Sequence, residues 1–121
     1  MHELSIAMSL IDLASERAAE VGGGRIEAVH VRLGALAGVV EEALRFSFEV
    51  AAHGTPLDGA RLVVERVPVA IFCAGCGAER VLEEPLRFRC PVCDAPAADL
   101  VRGREIELTA LEVEDDALAH R

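Results

Sequence analysis

Four cysteines stand in two matched pairs, Cys73-Ala-Gly-Cys76 and Cys90-Pro-Val-Cys93, with thirteen residues between them. A Cys-x-x-Cys pair closes a tight knuckle that offers two thiolates to one ion. Two knuckles complete a tetrahedral shell of four sulfurs, a set that suits Zn(II) and leaves no open position for chemistry. Gly75 and Gly77 supply permissive backbone around the first knuckle, and Asp94, just after the second, is of a type that tolerates a left-handed conformation. Residues 78–89 fit a short hairpin with Glu83-Glu84-Pro85 as its turn. Iron also accepts four sulfurs. A thioredoxin-like redox pair, by contrast, uses one such motif beside a parallel sheet. Between Val69 and Val101, Arg80, Arg87 and Arg89 are set against Glu79, Glu83, Glu84, Asp94 and Asp99. That balance of −2 lacks the basic footprint of a nucleic-acid-binding ribbon.

The other place for chemistry is the start, Met1-His2-Glu3. The Met1 α-amine, the His2 amide nitrogen and the His2 imidazole lie close together along one chain. Together they wrap a small divalent cation in a nitrogen-rich, tetragonal set, the geometry favoured by Ni(II) and Cu(II). Glu3 either adds an oxygen or hydrogen-bonds the imidazole from behind. Leu4 begins the apolar stripe of the first helix at once, which would tie the terminus to packed structure. A site of this kind loses its ion in acid, because an imidazole ordinarily protonates near pH 6.5.

The remaining histidines carry less. His30 falls on the polar face of a strand, His53 at a helix end where the dipole favours it, and His120 in the tail. Glu41-Glu42 suits the positive start of a helix. There is no Ser/His/Asp set, phosphate loop or dinucleotide fingerprint, so hydrolase and nucleotide-binding chemistry find no support.

Several elements must position these groups. The chain has 121 residues, 52% of them apolar, which is enough for one modest core. Twelve basic residues, all Arg, against 21 acidic ones leave a net charge of −9. That charge fits neither a phosphate backbone nor an anionic membrane surface. No run is long enough to span a bilayer, and no basic segment precedes an apolar one at the start. The expected location is therefore cytoplasmic, where cysteines are more often ligands than disulfides. Apolar spacing predicts a helix over 4–21, with Leu4, Ala7, Met8, Ile11, Ala14, Ala18 and Val21 in its stripe, stopped by Gly22-Gly23-Gly24. A strand over 25–33 and a helix from about Val40 to Ala52 follow, the latter with Ala43, Leu44, Phe48 and Ala51 inward. A strand over 61–72 places Pro68 at an edge or bulge. A last strand over 104–113, whose alternation shifts between Leu108 and Leu111, precedes an acidic, frayed tail over 114–121. The expected class is α+β: a small mixed or antiparallel sheet with two helices and an inserted zinc-ribbon module. The last strand must return to pair beside the earlier ones. The expected domains are 1–68 with 102–113, then 69–101 as the ribbon, then the tail.

The Met1-His2-Glu3-Leu4-Ser5 start, the strand and turn from Arg25 to Gly34, Glu42-Ala-Leu-Arg-Phe46 and the two cysteine pairs together resemble the HypA/HybF family of hydrogenase maturation nickel metallochaperones. The resemblance covers residues 1–113. It implies that nickel binds at the N-terminus through His2 and often the following acid, here Glu3, with Met1 in the site, and that Cys73, Cys76, Cys90 and Cys93 hold structural zinc. It implies a carrier and not an enzyme, delivering transient Ni(II) to the large subunit of [NiFe] hydrogenase, or to urease, with a HypB-type GTPase partner. A monomer or weak homodimer without nucleic-acid or membrane partners is expected. In some relatives an acidic residue just before the second helix neighbours nickel; here that region reads Val39-Val40-Glu41-Glu42, which leaves Glu41, Glu42 or neither for the role. The competing reading is a zinc-ribbon interaction adaptor whose metal is purely structural.

Overall fold

The computed structural model describes residues 2–83, 87–97 and 99–114. The described residues of Met1–Val31, Val39–Val64 and Leu108–Arg121 form one compact unit, and Arg32–Gly38 with Glu65–Glu107 form a second.

In the first unit, helix α1 (His2–Glu20) starts two residues earlier than the apolar spacing suggested, so His2 and Glu3 lie in its first turn. Its buried face is Ala7, Leu10, Ile11, Ala14 and Ala18. Leu4, Met8 and Val21, expected in that stripe, are 37%, 53% and 75% exposed. Met8 lies about 100° round the helix from Ala7. Val21 falls past the helix end, in a turn closed by Gly22 N–H to the Ala19 carbonyl and Gly23 N–H to the Ala18 carbonyl. Gly22 takes φ +69° there, the left-handed stop that glycine makes cheaply.

Helix α2 (Glu41–Ala52) packs against α1 and buries Leu44, Phe48 and Ala52, with Ala51 against the same core and Ala43 half-buried. Strands β1 (Ile26–Gly34), β2 (Arg61–Val67) and β6 (Ile106–Val113) form a sheet in the order β2-β1-β6. The final strand therefore does return beside the first. Val29 and Val31 face the helices, and Leu108, Leu111 and Val113 close the core from β6, so that strand's frame slips by one residue as expected. Glu114, assigned to the frayed tail, donates its N–H to the Arg25 carbonyl at 2.8 Å. The rest of that tail, His120 included, lies outside the described residues.

The single strand expected over 61–72 is two. It breaks at exposed Pro68 into β2 and β3 (Val69–Cys73), which belong to different sheets. Proline has no N–H for a ladder, so it serves as the joint. In the second unit, β4 (Ala78–Leu82) and β5 (Asp99–Arg102) flank β3 antiparallel, in the order β4-β3-β5. The hairpin expected within 78–89 is replaced by one that wraps the first knuckle: β4 pairs with β3, Cys73 opposite Ala78 and Ile71 opposite Arg80. A second reversal wraps the other knuckle, with Arg89 bridged to Pro96 and Ala97 N–H bonded to the Phe88 carbonyl. Each knuckle is itself a chain reversal, so the pairing forms across it rather than between the two. Glu84 and Pro85 of the expected turn lie outside the described residues.

Candidate metal centres

The cysteine cluster is built by two knuckles of the same construction. Gly77 donates its N–H to the Cys73 carbonyl at 2.8 Å, and Asp94 donates to the Cys90 carbonyl at 2.9 Å. Both fifth residues are left-handed, Gly77 at φ +66° and Asp94 at φ +62°, the latter the one non-glycine so placed among the described residues. The N–H groups of Val92 and Cys93 point at Cys90 Sγ from 3.4 and 3.5 Å. The sulfurs of Cys73, Cys76, Cys90 and Cys93 all lie within 4.8 Å of one another. Cys73 Sγ is 3.5 Å from Cys93 Sγ, and Cys76 Sγ is 3.9 Å from Cys90 Sγ. Four sulfurs around a zinc ion at 2.3 Å would stand about 3.8 Å apart. The cluster therefore fits a tetrahedral ion.

Electrostatics agree. The Cys93 N–H, helped by that of Val92, draws Cys90 down to about 6. Against an opposing hydrogen bond from the Ala95 N–H, the Cys73, Cys76 and Cys90 sulfurs push Cys93 up to about 12. One thiolate forms readily here and a further one resists, so a cation is what lets all four ionise together. Arg80 supplies part of that charge. The Cys76 sulfur, with that of Cys90 beside it, holds the Arg80 guanidinium above the usual arginine range, although the buried Arg80 Nε itself makes no hydrogen bond. Arg80 was not singled out from sequence. Its role follows from the β3–β4 register, which sets it across from Ile71 on the face shared with Cys73.

At the other centre, His2 Nε2 stands 3.4 Å from Glu3 Oε2. The same oxygen accepts the Val40 N–H at 3.2 Å. The His2 side chain is 58% exposed and that of Glu3 only 12%. The Val40 N–H holds the Glu3 carboxyl below the usual carboxylate range, against a smaller desolvation that raises it. Glu3, not the half-exposed Leu4, thus ties the start of α1 to packed structure. Met1 lies outside the described residues.

Glu41 and Glu42 stand in the first turn of α2 rather than before it; Glu41 is held by Arg45 Nε at 3.0 Å, and Arg45 in turn donates to the Leu62 carbonyl at 2.6 Å. Glu42 is exposed. His30 is part of a ladder across the sheet: its Nε2 lies 2.7 Å from Glu112 Oε2, and Arg61 reaches Glu112 Oε1 at 3.3 Å. His53 ends α2, with Nδ1 3.5 Å from Asp58.

Two helices, small three-stranded sheets and a ribbon of four clustered cysteines define a metal-binding α+β protein. A family model described as hydrogenase/urease nickel incorporation, metallochaperone, HypA matches residues 1–113, and the chain belongs to this family of maturation factors, which are metallochaperones and not enzymes. It is 61% identical over 112 residues to a hydrogenase maturation factor HypA of Chloroflexus aurantiacus, covering 93% of this chain and 98% of the relative. It is 53% identical over 116 residues to the factor of the same name from a Roseiflexus species, covering 96% and 94%. In three dimensions it is similar to a solution structure of HypA protein, with a TM-score of 0.70 and 25% identity over 94% of this chain and 97% of that one. The fold is shared with the solution structure of the Ni metallochaperone HypA from Helicobacter pylori, at a TM-score of 0.66 and 24% identity over 92% and 96%. Among the described residues, no helix is long and apolar enough to cross a membrane.

Proposed function

We propose that this chain carries Ni(II) at its N-terminus and delivers it to the large subunit of [NiFe] hydrogenase, with urease as a second destination. The observation that carries this reading is the family match over residues 1–113, which includes the Met1-His2-Glu3 start. Nickel is cargo here. It is taken by the Met1 amine, the His2 amide nitrogen and the His2 imidazole, with Glu3 alongside. The exposure of His2 supports capture from solution, and its place in the first helical turn supports it too. The first N–H groups of a helix stand outside the intrahelical ladder, so metal at the His2 amide disturbs no backbone bond of α1. An open site of few ligands also releases its ion, which a closed four-sulfur cage does not.

The resident ion of Cys73, Cys76, Cys90 and Cys93 is zinc in this reading, supported by the sulfur spacing, and its role is structural. The two compact units then divide the labour, with nickel on the first and zinc in the ribbon of the second. The proposed partners are the hydrogenase large subunit and a GTPase accessory protein of the HypB type, met in the cytoplasm by a monomer or weak homodimer. Nucleic acid is no partner of a chain with net charge −9.

Calorimetric titration of untagged, zinc-loaded protein with Ni(II) tests the reading. One site of roughly micromolar strength or tighter is expected, and it should be lost in His2→Ala. No nickel uptake by the wild type would leave a ribbon with structural metal only.

A further inference from the structure

We propose that Glu3 is a positioning residue: it caps helix α2 from a distance, holds the His2 imidazole in its chelating orientation, and is not itself a nickel ligand. The inference rests on the nickel site proposed above and decides between two roles for one of its residues.

Helix α2 starts without a cap of its own. Its N-cap is Val40, extended at φ −85° and ψ 117°, with no side-chain hydrogen bond. A capping box would place Ser or Thr at the cap and an acid three residues on, with the acid's carboxylate returning to the cap N–H. Here those positions are Val40 and Ala43, and neither can serve. Glu3 supplies the missing acceptor from 37 residues earlier in the chain, bonding the Val40 N–H at 3.2 Å. A carboxylate at this end of α2 also meets the positive end of its dipole.

The oxygen that caps α2 is the oxygen that faces His2. Glu3 Oε2 lies 3.4 Å from Nε2, the ring nitrogen farther from the backbone. Chelation by the amide and imidazole of one histidine runs through the nearer nitrogen, Nδ1, because only that atom closes a six-membered ring. A carboxylate on Nε2 therefore holds the proton there and leaves the Nδ1 lone pair for the ion, the usual relation between a metal-bound histidine and its carboxylate partner. Accessibility points the same way: the imidazole opens to solvent and the carboxylate stands behind it.

The test compares wild type, Glu3→Gln and Glu3→Ala, all untagged and zinc-loaded, by two readouts. Amide exchange at Val40 is measured without nickel. Affinity and visible absorption are measured with Ni(II). Glutamine keeps an oxygen that accepts the Val40 N–H. Val40 should be protected in wild type and Glu3→Gln and unprotected in Glu3→Ala. The nickel spectrum should be the same in all three proteins, because the donor set is unchanged. Affinity should fall about 10- to 100-fold in Glu3→Ala and recover to within about threefold in Glu3→Gln. An altered nickel spectrum in Glu3→Gln overturns the inference, since it means a carboxylate ligand was lost. Loss of Val40 protection when nickel is added to wild type also overturns it, since Glu3 would have moved to the ion. A wild type that takes up no nickel overturns the proposed function instead. The Val40 amide still decides the capping role in that case, and an unprotected amide in nickel-free wild type overturns it.

Discussion

The two units reach stability by different means. The first gathers thirteen buried apolar residues from two helices, two strands and the turn residue Leu57, among them Ile11, Val29, Leu44 and Phe48, with partly buried β6 residues packed against them. The second has three buried residues in its core cluster, Val69, Ile71 and Leu82, with Leu36, Ala97 and Leu100 packed beside them. A patch that small cannot offset the entropy of ordering its strands. An ion held by the four cysteines, as proposed, would make up the difference, because binding there is folding free energy. The same contrast divides the metal sites. Where the proposed ion would replace a core, four sulfurs on two matched knuckles are placed to enclose it. Where it is cargo, the candidate site sits on the rim of a core that stands without it.

The strongest way to break this comparison is to remove the resident ion. Chelation, or Cys73→Ser, is expected to unfold the ribbon while leaving the helical circular dichroism of α1 and α2 in place. Structural zinc sites in small peptides contribute on the order of 10–16 kcal/mol. Metal analysis and amide NMR check this, and retained ribbon dispersion without metal would sink it. The converse substitution is Phe48→Ala. Phe48 is 2% exposed, and its loss is expected to destabilise the first unit by about 3–5 kcal/mol in urea unfolding, with the bound zinc stoichiometry unchanged.

A finer cut lies within the ribbon. Gly77 at φ +66° has nothing within 4 Å of an added Cβ, so Gly77→Ala adds backbone strain alone, roughly 1–2 kcal/mol. Zinc transfer to a chelator should quicken by on the order of tenfold. Asp94→Gly, which relaxes the matching position of the other knuckle, should leave that rate nearly unchanged.

The smallest expected effect concerns the ladder on the first sheet. The His30 imidazole holds the Glu112 carboxyl below the usual carboxylate range, against desolvation that raises it and with a smaller contribution from Arg61. A carboxyl so depressed contributes stability above its unfolded range, and that contribution fades as pH falls through the lowered value. Glu112→Gln should therefore move the acid unfolding midpoint of the first unit upward by less than about half a pH unit, followed by circular dichroism. The ribbon's acid release of metal should not move.

What was legible in the sequence was mostly local. A Cys-x-x-Cys knuckle closes within five residues, so its spacing announced the cluster, and the left-handed tolerance of Gly77 and Asp94 was readable from residue type. The last strand's slip between Leu108 and Leu111 showed in the apolar pattern. The α1 stripe was read with Met8 inside it, because a helical wheel has no partner to say where the stripe ends. Pro68 announced a disturbance, and only two sheets in need of strands made it a joint. Arg80 counted only as one charge among several, because its place beside the sulfurs depends on a register with β3.

The sequence by itself determined that four sulfurs would meet, that two helices and a few strands would surround one modest core, and that an imidazole would stand beside the chain's first amide nitrogens. Each of these is announced by a pattern within a few positions, a knuckle, an apolar stripe or a terminal histidine, where chain geometry leaves little choice. The tertiary structure decided which face of α1 is buried, that the ribbon's strands pair across its knuckles, and that Glu3 reaches the uncapped start of α2. The first and last of those outcomes join residues tens of positions apart, the ribbon pairing joins residues 5 to 13 apart, and periodicity alone selects none of them. Packing does, when α1 lies against α2 and brings a carboxylate to an amide that has no other side chain to cap it.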